Sequence, residues 1–158
     1  MQPPWRTPRR GWRPGLSASE RIGPPTLDAA PLGRERRRQL VIEPVPRSVA
    51  EARRFIRATV AGVTADRVER AAACGSELVA NAVVHGAPPI LLTVWSRADH
   101  ILVAVTDTNR TPPSPRIARH SDPDGRGTVI VGRLADRWGV DFPPEGKRVW
   151  CLIDLPSA

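Results

Sequence analysis

The stretch Glu77-Leu78-Val79-Ala80-Asn81-Ala82-Val83-Val84-His85-Gly86 decides the fold of this 158-residue chain. Glu77, Asn81 and His85 are each four residues apart, so in a helix they share one face. With Glu77 at zero, Asn81 falls at about 40° and His85 at about 80° around the helix axis. Val68, Ala71, Ala72, Gly75, Val79, Ala82 and Val83 all fall between about 120° and 240°. The pattern predicts a helix with a small-residue apolar face for a core and a carboxylate and a carboxamide opposite it. Gly86 stands at the C-cap position, and Pro88-Pro89 prevents the helix from resuming. Taken alone, the polar stripe is either a solvated outer face, as amphipathic helices commonly have, or a site.

Upstream of this helix, Gln39-Leu40-Val41-Ile42 reads as a short strand closed by Glu43-Pro44. Ser48 is a candidate cap for a first helix, in which Val49, Ala52, Phe55, Ile56, Thr59 and Val60 recur at helical spacing until Gly62. Thr64 or Asp66 then starts the second helix, which runs to His85. Downstream the period changes. Ile90–Trp95 and Ile101–Thr106 read as two strands of a hairpin, turned through 96–100. The second ends abruptly at Asp107, and residues 108–124 form a long, aperiodic, proline-containing loop. Gly125-Arg126-Gly127 leads into a short helix over 128–135. After an Asp136–Gly139 connection come strands at Val140–Phe142 and Arg148–Leu155. The order β, α, α, β, β, loop, α, β, β predicts an α+β fold: a two-layer sandwich with a mixed, mostly antiparallel sheet and helices on one face.

The formal charge of +8 is unevenly placed. Residues 1–38 hold nine arginines against Glu20, Asp28 and Glu35, a net of +6, whereas residues 39–158 carry only +2. The high sequence pI therefore belongs mainly to a Pro/Arg-rich segment that cannot bury enough apolar surface to order itself, and we expect residues 1–38 to be a disordered tail ahead of a domain at 39–158. Trp5 and Trp12 among its arginines suit a phosphate backbone or an acidic partner; the alternative is a leader without function. The nearly neutral domain argues against a nucleic-acid reader, leaving at most weak contact through the tail. Cys74 and Cys151 are 77 residues apart with no CxxC, which favours two buried thiols over a zinc site or a disulfide. No apolar run approaches the about 18–20 residues of a membrane span, and the arginine-rich start lacks the apolar core of a secretory signal. These features lead us to expect a cytoplasmic protein.

Three features carry possible chemistry: the Glu77/Asn81 stripe, Asp107 where a loop leaves a strand, and Gly125-Arg126-Gly127 opening a helix. A glycine pair lets backbone N–H groups approach an anion, the helix start adds partial positive charge, and Arg126 supplies a counter-charge. In this order and spacing the three resemble the nucleotide site of the GHKL (Bergerat-fold) ATPases. That superfamily includes gyrase, the histidine kinases and the mismatch-repair ATPases. The resemblance is closest to the anti-sigma-factor serine kinases and their actinobacterial regulatory ATP-binding relatives. It rests on the Glu77–Gly86 stretch, the Asp107 turn, Gly125-Arg126-Gly127 and Leu134-Ala135-Asp136-Arg137-Trp138-Gly139-Val140, and spans roughly residues 39–155.

The resemblance implies ATP and Mg²⁺ as cofactors. Asn81 matches the Mg²⁺ ligand and Glu77 the general base that takes a proton from a serine hydroxyl or orients water. Asp107 matches the acceptor for the adenine amino group. Gly125, Arg126, Gly127 and Thr128 match the segment that meets the phosphates, and the loop 108–124 matches the ATP lid. It further implies phosphorylation of a STAS-type anti-sigma-factor antagonist on serine, with a sigma factor as second partner, and leaves a homodimer open. This chain departs from the family at Asp107-Thr108-Asn109-Arg110-Thr111, where both glycines of an Asp-x-Gly-x-Gly turn are replaced. It departs again in the last strand, where Arg148 is expected near Asp107 in place of threonine. The altered turn motivates a second reading, a non-catalytic protein-binding regulator that uses ATP only to order its loop, or not at all.

Overall fold

The computed structural model describes residues 35–111 and 131–156. Five strands and two long helices follow in the order β1 (Arg36–Ile42), α1 (Arg47–Thr59), α2 (Ala65–His85), β2 (Ile90–Ser96), β3 (His100–Asp107), β4 (Arg137–Asp141) and β5 (Lys147–Asp154). The sheet order is β1-β2-β3-β5-β4, and every described pair is antiparallel. The expected two-layer α+β sandwich is therefore present, its described strands antiparallel throughout. No helix among the described residues is long and apolar enough to cross a membrane.

Strand alternation divides the sheet into two faces. Ile42, Ile90, Leu92, Val94, Ile101, Val103, Val105, Cys151 and Ile153 point at the helices and form the main core with Ala52, Ile56, Ala71, Ala72, Leu78 and Val79. The opposite face carries a smaller cluster of Trp95, Leu102 and Leu152, with Trp150 packed against it. Gly139 fits this second face because its missing side chain leaves room for the Trp150 ring, which a Cβ would meet at 2.7 Å.

Helix α2 lies close to both its neighbours because its apolar face is built from small residues. A Cβ at Gly75 would come within 2.3 Å of Ile56 Cδ1 on α1 and 2.9 Å of Val103 Cγ1 on β3. The two helices are also joined at their rims: Arg57 binds Glu69 through two hydrogen bonds of 2.9 and 2.7 Å, and Arg53 donates to the Ser76 hydroxyl at 3.1 Å. Thr64 is the N-cap residue of α2, and Asp66 in the first turn complements the positive end of the helix dipole. At α1 the expected cap is corrected. The helix begins at Arg47 after Pro46, and Ser48 is a buried residue inside it with no capping bond.

Two further boundaries differ from the sequence reading. Strand β1 starts at Arg36, so Arg36–Arg38 belong to the sheet rather than to the tail; residues 1–34 lie outside the described residues. Their guanidinium groups are used by the fold: Arg37 sits 5.8 Å from the Trp95 ring centroid and Arg38 4.8 Å from that of Phe55. Long stems that cover aromatic rings read as polar in sequence and as packing in space. The second is the Asp136–Gly139 connection: Arg137, Trp138 and Gly139 are in β4, paired with Leu152, Cys151 and Trp150. Phe142, expected in that strand, follows its end.

The chain re-enters the described structure at Val131, in a helical turn over 131–134. Arg70 of α2 fastens this turn, donating to the Leu134 carbonyl at 3.0 and 2.6 Å and to Asp136 Oδ1 at 3.0 Å. Asp136 Oδ2 in turn accepts from the Asp154 backbone N–H at 2.8 Å.

Gly75→Val forces a branched side chain into a filled interface and is expected to lower unfolding stability by about 2–3 kcal/mol, read from urea denaturation. Arg70→Met keeps the stem but strands two buried-side acceptors. A loss of about 1.5–3 kcal/mol by the same measurement is the expected result.

Candidate functional site at the end of helix α2

The site begins with the polar stripe of α2. Glu77 and Asn81 are half-buried rather than solvated. Their setting follows from Cys74, which at about 60° lies between Asn81 and His85 around the helix axis. Cys74 is fully buried and its thiol is neighbour to that of Cys151 on β5. The neighbouring Cys74 thiol and complete burial both hold the Cys151 thiol well above its ordinary range. Both cysteines are unbridged. The stripe that carries Asn81 thus turns toward β5 and not toward open solvent. His85, one turn further on, is exposed.

Gly86 stops α2, as its sequence position suggested, but its backbone is extended (φ −82°, ψ −178°) rather than left-handed. What excludes a side chain there is proximity: a Cβ would meet the Ala82 carbonyl oxygen at 2.5 Å and Asp107 Cγ at 3.0 Å. The end of α2 is therefore pressed against the Asp107 carboxylate. Asp107 is the last residue of β3, on the helix-facing side, and is 2% exposed. Its Oδ1 accepts from the backbone N–H of Ala87 at 3.3 Å and of Asn109 at 2.8 Å, the second closing a turn of the Asx type.

The segment after Asp107 lacks the two glycines of the family turn and is held by hydrogen bonds instead. Thr108 donates from its backbone N–H to the Ala87 carbonyl at 3.0 Å, and its hydroxyl reaches the Ala87 and Pro88 carbonyls at 3.2 and 3.1 Å. Asn109 Nδ2 donates to the His85 carbonyl at 2.9 Å, and Asn109 Oδ1 accepts from the Thr111 N–H at 3.0 Å. Arg110 ties the same turn to the β4–β5 connection through the Pro143 and Pro144 carbonyls at 3.1 and 3.3 Å.

A residue that the sequence reading passed over completes the site. Lys147 opens β5 directly opposite Asp107 in the strand register. Its Nζ stands 3.6 Å from Asp107 Oδ2 and donates to the Thr111 carbonyl at 3.2 Å. The side chains of the pair are only 7% and 2% exposed. Gly146 makes the approach feasible: its φ is +155°, and a Cβ there would lie 2.1 Å from the Asp107 carbonyl oxygen. The expectation that Arg148 stands beside Asp107 is corrected by one residue. Arg148 pairs with Thr106 in register and points to the other face, where it binds Asp141 in a two-pronged ion pair. Its signal was in the sequence all along, because Lys147 is the single lysine among 24 basic residues.

The structure brings Glu77, Asn81 and Asp107 to the C-terminal half of α2 and the adjoining strand ends. Gly125, Arg126, Gly127 and Thr128, with most of the loop 108–124, lie outside the described residues. Among the described residues no three His, Cys, Asp or Glu side chains gather as a metal cage. A lone carboxamide beside a carboxylate fits the other way of holding Mg²⁺, in which few protein oxygens share the ion with phosphates and water. Asp107 is less open, since one of its oxygens is filled by backbone N–H groups and the other faces an ammonium.

Comparison with known proteins bears on the fold and the family. No curated protein matches the chain significantly. A crystal structure of the RsbU and RsbW domains of Rv1364c from Mycobacterium tuberculosis shares the fold, with a TM-score of 0.57 at 16% identity, over 77% of this chain and 34% of that one. The chain thus spans about a third of the length of that relative. The family model of the histidine kinase-like ATPase domain matches residues 42–152, from the end of β1 to the core of β5. On that match the chain belongs to the histidine kinase-like ATPase domain family.

Proposed function

We propose that the chain is an ATP-binding regulatory domain of the anti-sigma-factor kind, with Mg²⁺·ATP held along the polar stripe of α2. The observation that carries this reading is the contact of Gly86 with Asp107, which sets a buried carboxylate at the end of the helix bearing Glu77 and Asn81. Asn81 would offer its side-chain oxygen to Mg²⁺. Asp107 would receive the base, and Gly125, Arg126, Gly127 and Thr128 would meet the phosphates. Glu77, one helical turn from Asn81, would take the proton of a serine hydroxyl during transfer of the γ-phosphoryl group. The acceptor would be a serine of a STAS-type antagonist, and a sigma factor would be the second partner. These roles are supported by the sequence resemblance and by the helix geometry.

A second reading is favoured by the Lys147–Asp107 pair. With the base-facing carboxylate paired internally, the domain would serve as a protein-binding regulator that performs no phosphoryl transfer.

Calorimetric titration with ATP and Mg²⁺ tests nucleotide binding, which the first reading requires and the second does not. Asn81→Ala is expected to weaken Mg²⁺-dependent ATP binding by about tenfold or more, equal to at least about 1.4 kcal/mol, and equal affinity in the two proteins would remove Asn81 from the site. Transfer of labelled phosphate to an antagonist protein separates the readings. Glu77→Ala should slow that transfer by about 10²–10⁴-fold with ATP binding retained, as expected for loss of a general base. Absence of phosphoserine with the unaltered protein favours the non-catalytic regulator.

A further inference from the structure

Lys147 is a chemical exception in this chain. The other 23 basic residues are arginines, and the one ammonium is placed in a nearly closed space at 6% exposure. Its neighbour has little free capacity. Asp107 Oδ1 already accepts two backbone N–H groups, so Oδ2 alone is left for an incoming donor, and the Lys147 ammonium faces that oxygen at 3.6 Å. A hydrogen-bonding amino group must come to about 2.9 Å from the same oxygen. Two donors therefore compete for one acceptor.

The geometry also shows why the competition is reversible. At 3.6 Å the pair is an ion contact longer than a hydrogen bond, and the hydrogen bond Lys147 does make goes to Thr111, at the exposed end of the turn. An ammonium on a flexible four-carbon stem can swing outward in a way that a planar, forked guanidinium in the same space cannot. Gly146 beside it supplies the backbone conformation that brings the stem alongside Asp107.

We propose that Lys147 is an internal competitor for the nucleotide base: its ammonium holds the open oxygen of Asp107 and must leave before a purine amino group can bind. Lys147 thereby sets nucleotide affinity at the base-recognising end of the site. This inference rests on the reading of α2 and Asp107 as a nucleotide site. It predicts an effect opposite in sign to simple electrostatics, because removing a cation near a polyphosphate ordinarily weakens binding.

The test is calorimetric titration of the full chain, Lys147→Thr, Lys147→Met and Lys147→Arg with Mg²⁺·ATP and with Mg²⁺·tripolyphosphate, which has no base. The expected result is ATP binding at least about tenfold tighter in the Thr and Met variants, with Lys147→Arg no tighter than the parent and tripolyphosphate affinity unchanged. ATP affinity that is equal or weaker in both neutral variants overturns the inference, as does a parallel gain for tripolyphosphate. If the parent binds ATP and neither variant gains, the competitor role alone is lost. If no protein in the series binds ATP, the nucleotide reading fails and takes the inference with it. A measurement on the unaltered chain covers the case in which the variants do not fold. Acetylation of the single lysine side chain, followed by peptide mass, should be faster at saturating ATP, and an unchanged or slower rate overturns the proposal.

Discussion

The close seating of α2 on the sheet is the constraint on which the remaining structure depends. Gly75, Ala71, Ala72 and Ala82 remove bulk from the helix face, and Gly75 in particular leaves no space for even one carbon between Ile56 and Val103. A helix held at that distance carries its flanking residues with it. Cys74 reaches Cys151, Glu77 and Asn81 become half-buried, and Gly86 meets Asp107. A larger residue at Gly75 would lift the helix and widen all of these separations together, since interiors packed at crystal-like density do not absorb an extra carbon locally. Core packing and site geometry are consequently one property of this helix.

Much of this was legible in the sequence because it depends on period. The 3.6-residue repeat of small apolar residues marked α2, and short apolar runs marked β2, β3 and β5 to within a residue or two. The polar stripe was legible as well, but not the direction it faces, which depends on the Cys74–Cys151 contact between residues 77 positions apart. The misreadings share a cause in side chains with two natures. Arg36–Arg38 look like a solvated charge run and are a strand, with Arg37 and Arg38 lying over aromatic rings. Asp136-Arg137-Trp138-Gly139 looks like a turn, yet three of its residues pair with β5, and its glycine leaves space for an indole. The neighbour of Asp107 was missed by a single position. In a strand one step exchanges the two faces, and so it exchanged Lys147 for Arg148.

The altered turn after Asp107 bears on how the site survives its departures from the family pattern. Glycines at such a turn serve by conformational freedom and by letting backbone come close. Here Asn109 closes the turn with its own backbone N–H on Asp107 and its side chain on His85 and Thr111, while Thr108 fastens to Ala87 and Pro88. Glycine would leave that segment free to adopt many conformations; this sequence fixes one of them by hydrogen bonds. The carboxylate is therefore positioned without the glycines.

The decisive departure lies across the sheet instead. A threonine beside a buried carboxylate would leave that carboxylate's charge unpaired, and burial of an unpaired charge is costly enough that a ligand or water must answer it. Lysine answers it internally. On the proposed reading the same ammonium that stabilises the free protein would oppose the ligand, which would couple stability without nucleotide and affinity for it through one side chain. An arginine would fix that balance on the side of the free protein, because its fork holds a carboxylate through two bonds, as Arg148 holds Asp141 on the opposite face. In a chain that uses arginine almost everywhere else, the single lysine stands where, on that reading, a cation would have to be able to let go.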